Sequence, residues 1–232
     1  MSFEWYQLAP VILTDALWAE YAPPCFMSGT VGQRRASFLK AEQQMVQELN
    51  TPLVPTQVTG TYGWRPRQIL DFVRVSSIDA VSAKGVECSC VLQDIAACAI
   101  LRDAKHGIAD LWLTGNLLTA CGCGAGSVPY LAEVVFTAGL PTGTSAVDMG
   151  LHMALAMAAT LTLNEIVDPG ANEGGPGDPG VIGFGSQGYS EQRISPTSFA
   201  GLRKTPFGTS ARANKIADLV SHLKVNIPLR MY

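Results

Sequence analysis

Apolar residues in the first fifty positions recur at the spacing of helical turns. The pattern predicts a helix over residues 10–21 and a longer one over 30–49, because side chains three and four positions apart share one face of a helix. Pro52 ends the second helix, since a proline disfavours the helical conformation of the residue before it. Residues 1–52 are therefore predicted to form the N-terminal helices of the fold.

Between residues 53 and 140 the pattern changes to short apolar runs separated by turn residues, which predicts strands. Turn-like tripeptides at 83–85 and 105–107 leave too little chain for helical crossovers. The strands are therefore expected to pair mostly as antiparallel hairpins. The candidate strands are residues 54–62, 72–81, 86–92, 98–101, 109–113 and 128–137.

Residues 141–167 contain the clearest helical pattern of the chain. Thr144 or Ser145 can cap a helix over 144–167, and Asp148 then lies near the positive end of the helix dipole. Apolar residues surround nearly the whole helix, which predicts that it is buried on most sides as a core helix.

The last third of the chain combines a glycine-rich stretch with one more helix. Glycine and proline make up half of residues 168–189, so a flexible loop without packed elements is predicted over 168–209. An amphipathic helix over 210–223 follows, and residues 210–232 form a C-terminal helix with an extended tail. The predicted fold class is α+β in one domain: a helical bundle with an inserted antiparallel β segment and an extended C-terminal tail.

The charge of the chain is low and unevenly distributed. Of its 232 residues, 15% are charged, against about 25% in typical soluble domains, which predicts that much of the surface faces protein in an oligomer or assembly. Residues 1–192 hold 9 basic and 18 acidic side chains, whereas residues 193–232 hold 7 basic and 1 acidic. The basic tail is either an electrostatic contact for a partner or simply a solvated end.

Membrane insertion and secretion are not expected from the sequence. No basic residue precedes the first apolar stretch, as a signal peptide would require. The most apolar run, residues 146–163, contains Asp148 and His152 and is short for a bilayer crossing.

Four of the six cysteines form two C-x-C pairs, Cys88 with Cys90 and Cys121 with Cys123. Two strands carrying such pairs could present four thiolates to one zinc ion, because alternate residues of a strand share a face. Free cysteine is, however, among the most buried residue types. Buried thiols are the favoured interpretation, and no metal ligand is predicted.

No motif points to catalysis or to a cofactor. Residues 183–188 match G-x-G-x-x-G literally, but the acidic residue of a dinucleotide site is missing and Pro196 breaks any following helix. No nucleophile and base occur at a recognisable spacing, so no catalytic residue is predicted. Four arginines suggest either a nucleic-acid surface or structural ion pairs, and the nearby acids favour the second: Arg34, Arg35, Arg65 and Arg67.

Four segments in a fixed order carry a resemblance to a known family. They are FLKAEQQMVQELNTPLVPTQVTGTY (38–62), VRVSSIDAV (73–81), ILRDAKHGIADLWL (100–113) and VVFTAGLPTGTSAVDMGLHMALAMAATL (134–161). The last is the most specific, because it joins a strand ending in aromatic-x-Ala-Gly to a proline loop and a core helix. With the glycine-rich loop and the basic-aromatic end, the order resembles the head-to-tail adaptor (connector) family of tailed bacteriophages.

The resemblance implies a structural protein and no enzyme. It implies a ring, usually of twelve subunits, that joins the capsid portal to the tail or stopper protein and surrounds a channel for genomic DNA without sequence-specific contact. The location would be the virion neck, and the host cytoplasm during assembly. The alternatives are a tail completion or terminator ring protein and a small zinc-binding cytosolic enzyme.

The resemblance also implies that the C-terminal segment reaches the portal or a neighbouring subunit. Charged side chains would supply hydrogen bonds there and aromatic ones would act as anchors. The contact residues expected in this segment are Arg193, Arg203, Lys204, Phe207, Arg230 and Tyr232.

Overall fold

The chain forms two units, a β unit and a helical unit, and each draws on separate stretches of the sequence. The β unit comprises the described parts of residues 50–142 with residues 2–4 and Val225, and the helical unit comprises those of 9–49 and 143–224. The computed structural model describes residues 2–4, 9–21, 29–84, 91–94, 99–112, 131–167, 181–184, 191–193, 204–208 and 211–225.

The β unit contains two antiparallel sheets. The larger has the strand order β1-β2-β8-β4-β5 and the smaller the order β3-β7-β6. In chain order the strands are β1 (Ser2–Glu4), β2 (Thr56–Gly63), β3 (Arg67–Ile69), β4 (Val75–Lys84), β5 (Val91–Asp94), β6 (Ala99–Asp103), β7 (Ile108–Leu111) and β8 (Leu131–Ala138).

Strand β8 lies at the centre of the larger sheet, between β2 and β4. Every second side chain of β8 is fully buried, because successive residues of a strand point to opposite faces. Val134 and Phe136 thus form the core of the β unit together with Val58 and Tyr62 of β2.

The turn between β6 and β7 fixes the smaller sheet. Gly107 has a φ of 67°, and a Cβ at this position would collide with the carbonyl oxygen of Phe72, so the turn requires glycine. The Leu70 N–H donates to the Gly107 carbonyl at 2.8 Å, and the Val75 N–H donates to the Ala104 carbonyl at 2.8 Å. The turn is therefore hydrogen-bonded to the segment that leads into β4.

The helical unit is built around one apolar helix, α4, which packs against α1, α2 and α5. Four of its nine buried residues are alanines, and small side chains at a contact let neighbouring helices approach closely. The elements of the unit are α1 (Asp15–Tyr21), α2 (Val31–Leu49), α3 (Thr144–Val147), α4 (Met149–Val167), β9 (Val181–Phe184), β10 (Glu191–Arg193), α5 (Ala211–Leu219) and a 3-10 turn (Ser221–Leu223).

Helix α4 is long and apolar enough to cross a membrane by length and composition. Within the described residues, however, 56% of its apolar window is buried inside the protein. The helix therefore has the burial of a core helix, as its all-round apolar pattern predicted.

Two buried polar contacts hold the segment before α1 and α1 itself in the helical unit. The carboxylate of Glu42 on α2 accepts the backbone N–H groups of Val11, Ile12 and Leu13 at 2.8, 2.8 and 2.7 Å. The Trp18 indole N–H donates to the Thr160 hydroxyl at 3.1 Å. Because an unpaired buried polar group is costly, both contacts specify where this segment lies.

The helices agree with the sequence pattern except at three places. The helix predicted over 210–223 is α-helical only from Ala211 to Leu219, and Ser221–Leu223 form a 3-10 turn. The first helix starts at Asp15 instead of residue 10, because the amides of residues 11–13 bind Glu42 and not a helical turn. The core helix is broken at Asp148, which is extended (φ −78°, ψ 101°) and separates α3 from α4. Asp148, and not Thr144 or Ser145, caps the long helix, since its Oδ1 accepts the Leu151 N–H at 2.8 Å.

The strands agree in order with the prediction and differ in detail. Strand β3 was not predicted, because its sequence Arg-Gln-Ile has no apolar run. Strands β9 and β10 pair in the glycine-rich segment, so the prediction that this segment has no regular element is wrong at these residues. The predicted strand residues 86–90, 98, 113 and 128–130 lie outside the described part of the chain.

Candidate interaction surfaces

The structure places only part of the predicted C-terminal contact set. Lys204 is exposed and Phe207 is half-buried in a turn closed by hydrogen bonds between Thr205 and Gly208 of 3.1 and 3.0 Å. Arg193 is the last residue of β10. Arg203, Arg230 and Tyr232 lie outside the described residues, so their role stays a prediction.

The end of the helical unit is held by two side-chain contacts. His222 Nε2 lies 2.7 Å from Asp148 Oδ2, and Lys224 forms an ion pair with Glu48 of α2. Both contacts attach the residues after α5 to the helices. The point at which the chain leaves the helical unit is therefore fixed.

The pKa of Asp148 lies below that of an ordinary aspartate side chain. Burial acts to raise its pKa, but the hydrogen bonds from His222 and from the Leu151 N–H outweigh burial and hold the pKa below its ordinary value. Asp148 is thus a carboxylate at neutral pH, which suits both its cap and its His222 contact.

A shared ion pair lies on the outer face of the smaller sheet. Arg67 Nε and Arg102 Nη1 each lie 3.0 Å from a different oxygen of Asp110. Hydrogen bonds from Arg67 and Arg102 lower the pKa of Asp110. The Asp110 side chain is 10% exposed, whereas the two arginines are 60% and 61% exposed, so the guanidinium groups face solvent around a buried anchor.

Three exposed apolar side chains surround this ion pair: Ile69, Ile100 and Trp112. Ile100 and Arg67 are both direct cross-strand partners of Asp110. Ile69 and Trp112 share the face, because each lies two positions beyond a residue on it. We call this surface the sheet patch; it consists of Arg67, Ile69, Ile100, Arg102 and Trp112 around Asp110.

A second exposed apolar surface lies at the start of α4. Val147 and Met149 are 76% and 72% exposed, and Met153 follows one helical turn after Met149. The Tyr21 ring of α1 lies 6.3 Å from the ring of His152, next to Met153 in sequence. Tyr21 follows Glu20 directly in sequence, and burial, the negative charge of Glu20 and its hydrogen bond raise the pKa of Tyr21.

We call this second surface the helix patch. It consists of Glu20, Val147, Met149 and Met153; Glu20 precedes Tyr21 in sequence, Met153 follows His152, and the Tyr21 and His152 rings contact each other. The His152 Nε2 lies 2.7 Å from the Ser145 carbonyl oxygen, which links α4 to α3 within the patch.

Two of the four flagged arginines have structural partners. Arg34 donates to Asp15 at 2.7 Å and to the Gly29 carbonyl at 2.9 Å, and Arg67 pairs with Asp110. These contacts favour the structural interpretation of both residues. Arg35 and Arg65 are exposed.

Within the described residues, no group of three or more histidine, cysteine or acidic side chains is arranged to hold a metal ion. Cys88, Cys90, Cys121 and Cys123 lie outside those residues, as do positions 185–188 of the glycine motif. Gly183 and Phe184 of that motif belong to β9, and the next described element is strand β10, with which β9 pairs, and not a helix.

Both patches were missed by sequence reasoning. The apolar residues of the sheet patch fall in predicted strands, where half of the side chains are expected to be buried. The sequence shows Val147, Met149 and Met153 at the start of a helix that is apolar on nearly all sides, but only the structure shows that these three side chains are exposed.

Sequence comparisons identify no relative of this chain. No protein-family model matches it, and no curated protein is similar to it in sequence.

Solved structures with the same fold come from a phage-like particle. A chain titled "Virion of native gene transfer agent (GTA) particle" aligns over 99% of this chain and 98% of its own length, with a TM-score of 0.55 and 14% identity. A chain of the "Neck of empty GTA particle computed with C6 symmetry" aligns over 69% of this chain and 82% of its own length, with a TM-score of 0.51 and 16% identity. A chain of the "Neck of native GTA particle computed with C12 symmetry" aligns over 99% of this chain and 98% of its own length at 15% identity. Its TM-score of 0.49 is too low to support an inference.

These likenesses define the class of fold to which the chain belongs. It is an α+β fold shared with components of a phage-like virion and its neck, as the sequence predicted. The resemblance to the head-to-tail adaptor family is thereby confirmed at the level of the fold.

Proposed function

We propose that this protein is a structural component of a phage-like virion neck, where it forms a ring that joins the portal to the tail and surrounds the DNA channel. The observation that carries the proposal is the fold shared with a virion chain over 99% of this chain and 98% of that one. Such coverage matches both units and not a single common motif.

The chemistry of the chain supports a mechanical role rather than an enzymatic one. Its named contacts are ion pairs, caps and apolar patches, which are the materials of protein interfaces. The 15% charged share of the sequence also fits a protein with much of its surface against neighbours.

The C-terminal segment is the proposed docking element toward the portal or a neighbouring subunit. Its contact residues are those expected from the sequence, namely Arg193, Arg203, Lys204, Phe207, Arg230 and Tyr232. The His222 and Lys224 contacts support this role for Arg230 and Tyr232, because they fix the part of the chain that precedes these two residues. The acidic balance of residues 1–192 supports passage of DNA through the channel without tight binding, since like charges repel.

A tail completion or terminator ring is the second candidate. It is favoured by one observation, the fold shared with a chain from a neck computed with sixfold symmetry. The location proposed for either ring is the virion, with assembly in the host cytoplasm.

Electron microscopy of the purified full-length protein, alone and mixed with its portal, tests the proposal. Twelvefold rings that bind the portal are the expected result. Sixfold rings that bind tail proteins and not the portal would favour the second candidate. A monomer that binds neither would overturn both.

A further inference from the structure

We propose that the sheet patch of one copy docks on the helix patch of the next copy. The inference rests on the proposed ring, and it names the surfaces through which the ring would close.

The sheet patch carries a positive charge on two guanidinium groups that Asp110 holds in place. Two guanidinium groups share one carboxylate, so one positive charge is left without a counter-charge within the patch. Among the described residues, each guanidinium donates to Asp110 through a single nitrogen. An arginine has five N–H donors, so both can also bind a carboxylate from a partner.

The apolar rim of the sheet patch fits a protein partner better than a nucleic acid. Trp112 is 57% exposed and Ile100 is 58% exposed, and exposed tryptophan beside arginine is the composition of interface hot spots. A nucleic-acid backbone would bind through cations spread over a wide surface. Here two cations surround one anion and are bordered by aliphatic and aromatic side chains.

The helix patch has the complementary chemistry. Glu20 supplies an exposed carboxylate, whereas the Asp148 side chain is only 16% exposed and is held by His222 and the Leu151 N–H. Met149 and Met153 supply an apolar surface that adapts its shape readily, because methionine is unbranched and flexible. The acid would meet the guanidinium groups, and the methionines would cover Trp112 and Ile100.

The two patches lie on different units of the chain, so their pairing is head-to-tail. A head-to-tail interface leaves a free sheet patch on one copy and a free helix patch on the other. Repetition then gives a closed ring when the rotation between copies closes. This is the symmetry that the proposed neck ring requires.

Photo-cross-linking locates the contact directly. Trp112→p-benzoylphenylalanine is introduced into full-length protein, and copies with and without heavy isotopes are mixed, assembled and irradiated. We expect cross-linked peptides that join the two isotopic forms and contain residues 147–153 or Glu20. Cross-links between copies that fall only on other peptides would overturn the proposal. The matched control is the same residue at Val31, which is also exposed and lies in neither patch.

Charge reversal tests the electrostatic part of the contact. Glu20→Lys should raise the protein concentration needed for ring assembly by about tenfold, the value of one lost charged contact at an interface. Asp218→Lys makes the same charge change at an exposed position of α5 and should assemble as the wild type does. Circular dichroism verifies that both variants are folded. Equal assembly of the two variants would overturn the proposal.

The outcomes also separate this inference from the proposed function. If the wild-type protein forms no ring, alone or with the portal, the proposed function fails. If it forms rings whose cross-links avoid the helix patch, the ring stands and only the assignment of its surfaces fails. If position 112 cross-links to added DNA and not to another copy in the assembled protein, the sheet patch binds nucleic acid and the inference is wrong.

Discussion

His222 and Asp148 are 74 residues apart in sequence and are joined by a 2.7 Å contact between Nε2 and Oδ2. The other oxygen of Asp148 accepts the Leu151 N–H at 2.8 Å. One carboxylate therefore caps the core helix and holds the turn that ends the helical unit.

Removal of this carboxylate should loosen both elements. We expect Asp148→Ala to lower the free energy of unfolding by about 1–3 kcal/mol, the cost of a lost helix cap and a lost charged hydrogen bond. Urea unfolding followed by circular dichroism measures the change. Asp218→Ala, at an exposed site, is the control and should stay within about 0.5 kcal/mol of wild type.

The same carboxylate predicts a pH dependence of stability. Because hydrogen bonds from His222 and Leu151 outweigh burial and lower the pKa of Asp148, its contribution is present above the unfolded-state pKa of about 3.9. The contribution is lost as pH falls through the lower folded-state pKa. We expect the wild type to lose more stability than Asp148→Ala below about pH 4, as measured by urea unfolding at stepped pH. Parallel losses in the two proteins would contradict the assignment.

Glu42 predicts a local effect on hydrogen exchange. Its buried carboxylate accepts the amides of residues 11–13, so Glu42→Gln replaces one acceptor oxygen with a donor. We expect a loss of about 1–3 kcal/mol and faster exchange of these amides, measured by hydrogen-exchange mass spectrometry. Glu165→Gln removes an exposed partner of Lys40 and should cost no more than about 1 kcal/mol. Unchanged exchange at residues 11–13 would refute the role of Glu42.

Close packing at Gly150 predicts a steric effect. A Cβ there would lie 3.0 Å from the Leu219 carbonyl oxygen and 3.2 Å from Asp148 Oδ1. We expect Gly150→Val to lower the melting temperature, at a cost of about 1–3 kcal/mol for overpacking. Gly32→Val is the control, because the nearest atom to its Cβ is 3.9 Å away. Equal melting temperatures for the two variants would show that α5 moves to accommodate the added side chain without a loss of stability.

The position of α5 predicts which truncation separates folding from docking. Ile216, Ala217 and Val220 are fully buried, so deletion of residues 193–232 should unfold the helical unit. Truncation after Val225 should leave a cooperative unfolding transition and weaken binding to the portal, measured by co-sedimentation, because it removes Arg230 and Tyr232 and keeps the other four contact residues. Full portal binding by this shorter truncation would show that residues 226–232 take no part in docking.

Local patterns predicted the elements well and their partners poorly. The bounds of α2 were predicted to within one residue. The prediction was accurate because the apolar stripe of the helix and the proline that follows it are both local signals. The contact of Asp148 with His222 joins residues that are 74 positions apart, and no spacing rule finds such a pair. The shared ion pair of Arg67, Asp110 and Arg102 depends on the register of three strands, one of which is too short and polar to be recognised.

The route of the chain between the units also determines the order in which they can fold during synthesis. Residues 50–142 are made after α2 and before α4, yet α2 packs on α4. Helix α2 therefore cannot contact α4 until nearly a hundred more residues have been synthesised, and such non-local contacts form slowly. The strands of residues 50–142 are complete before α4 is made, so the β unit can take shape on the ribosome while α2 still lacks its partner.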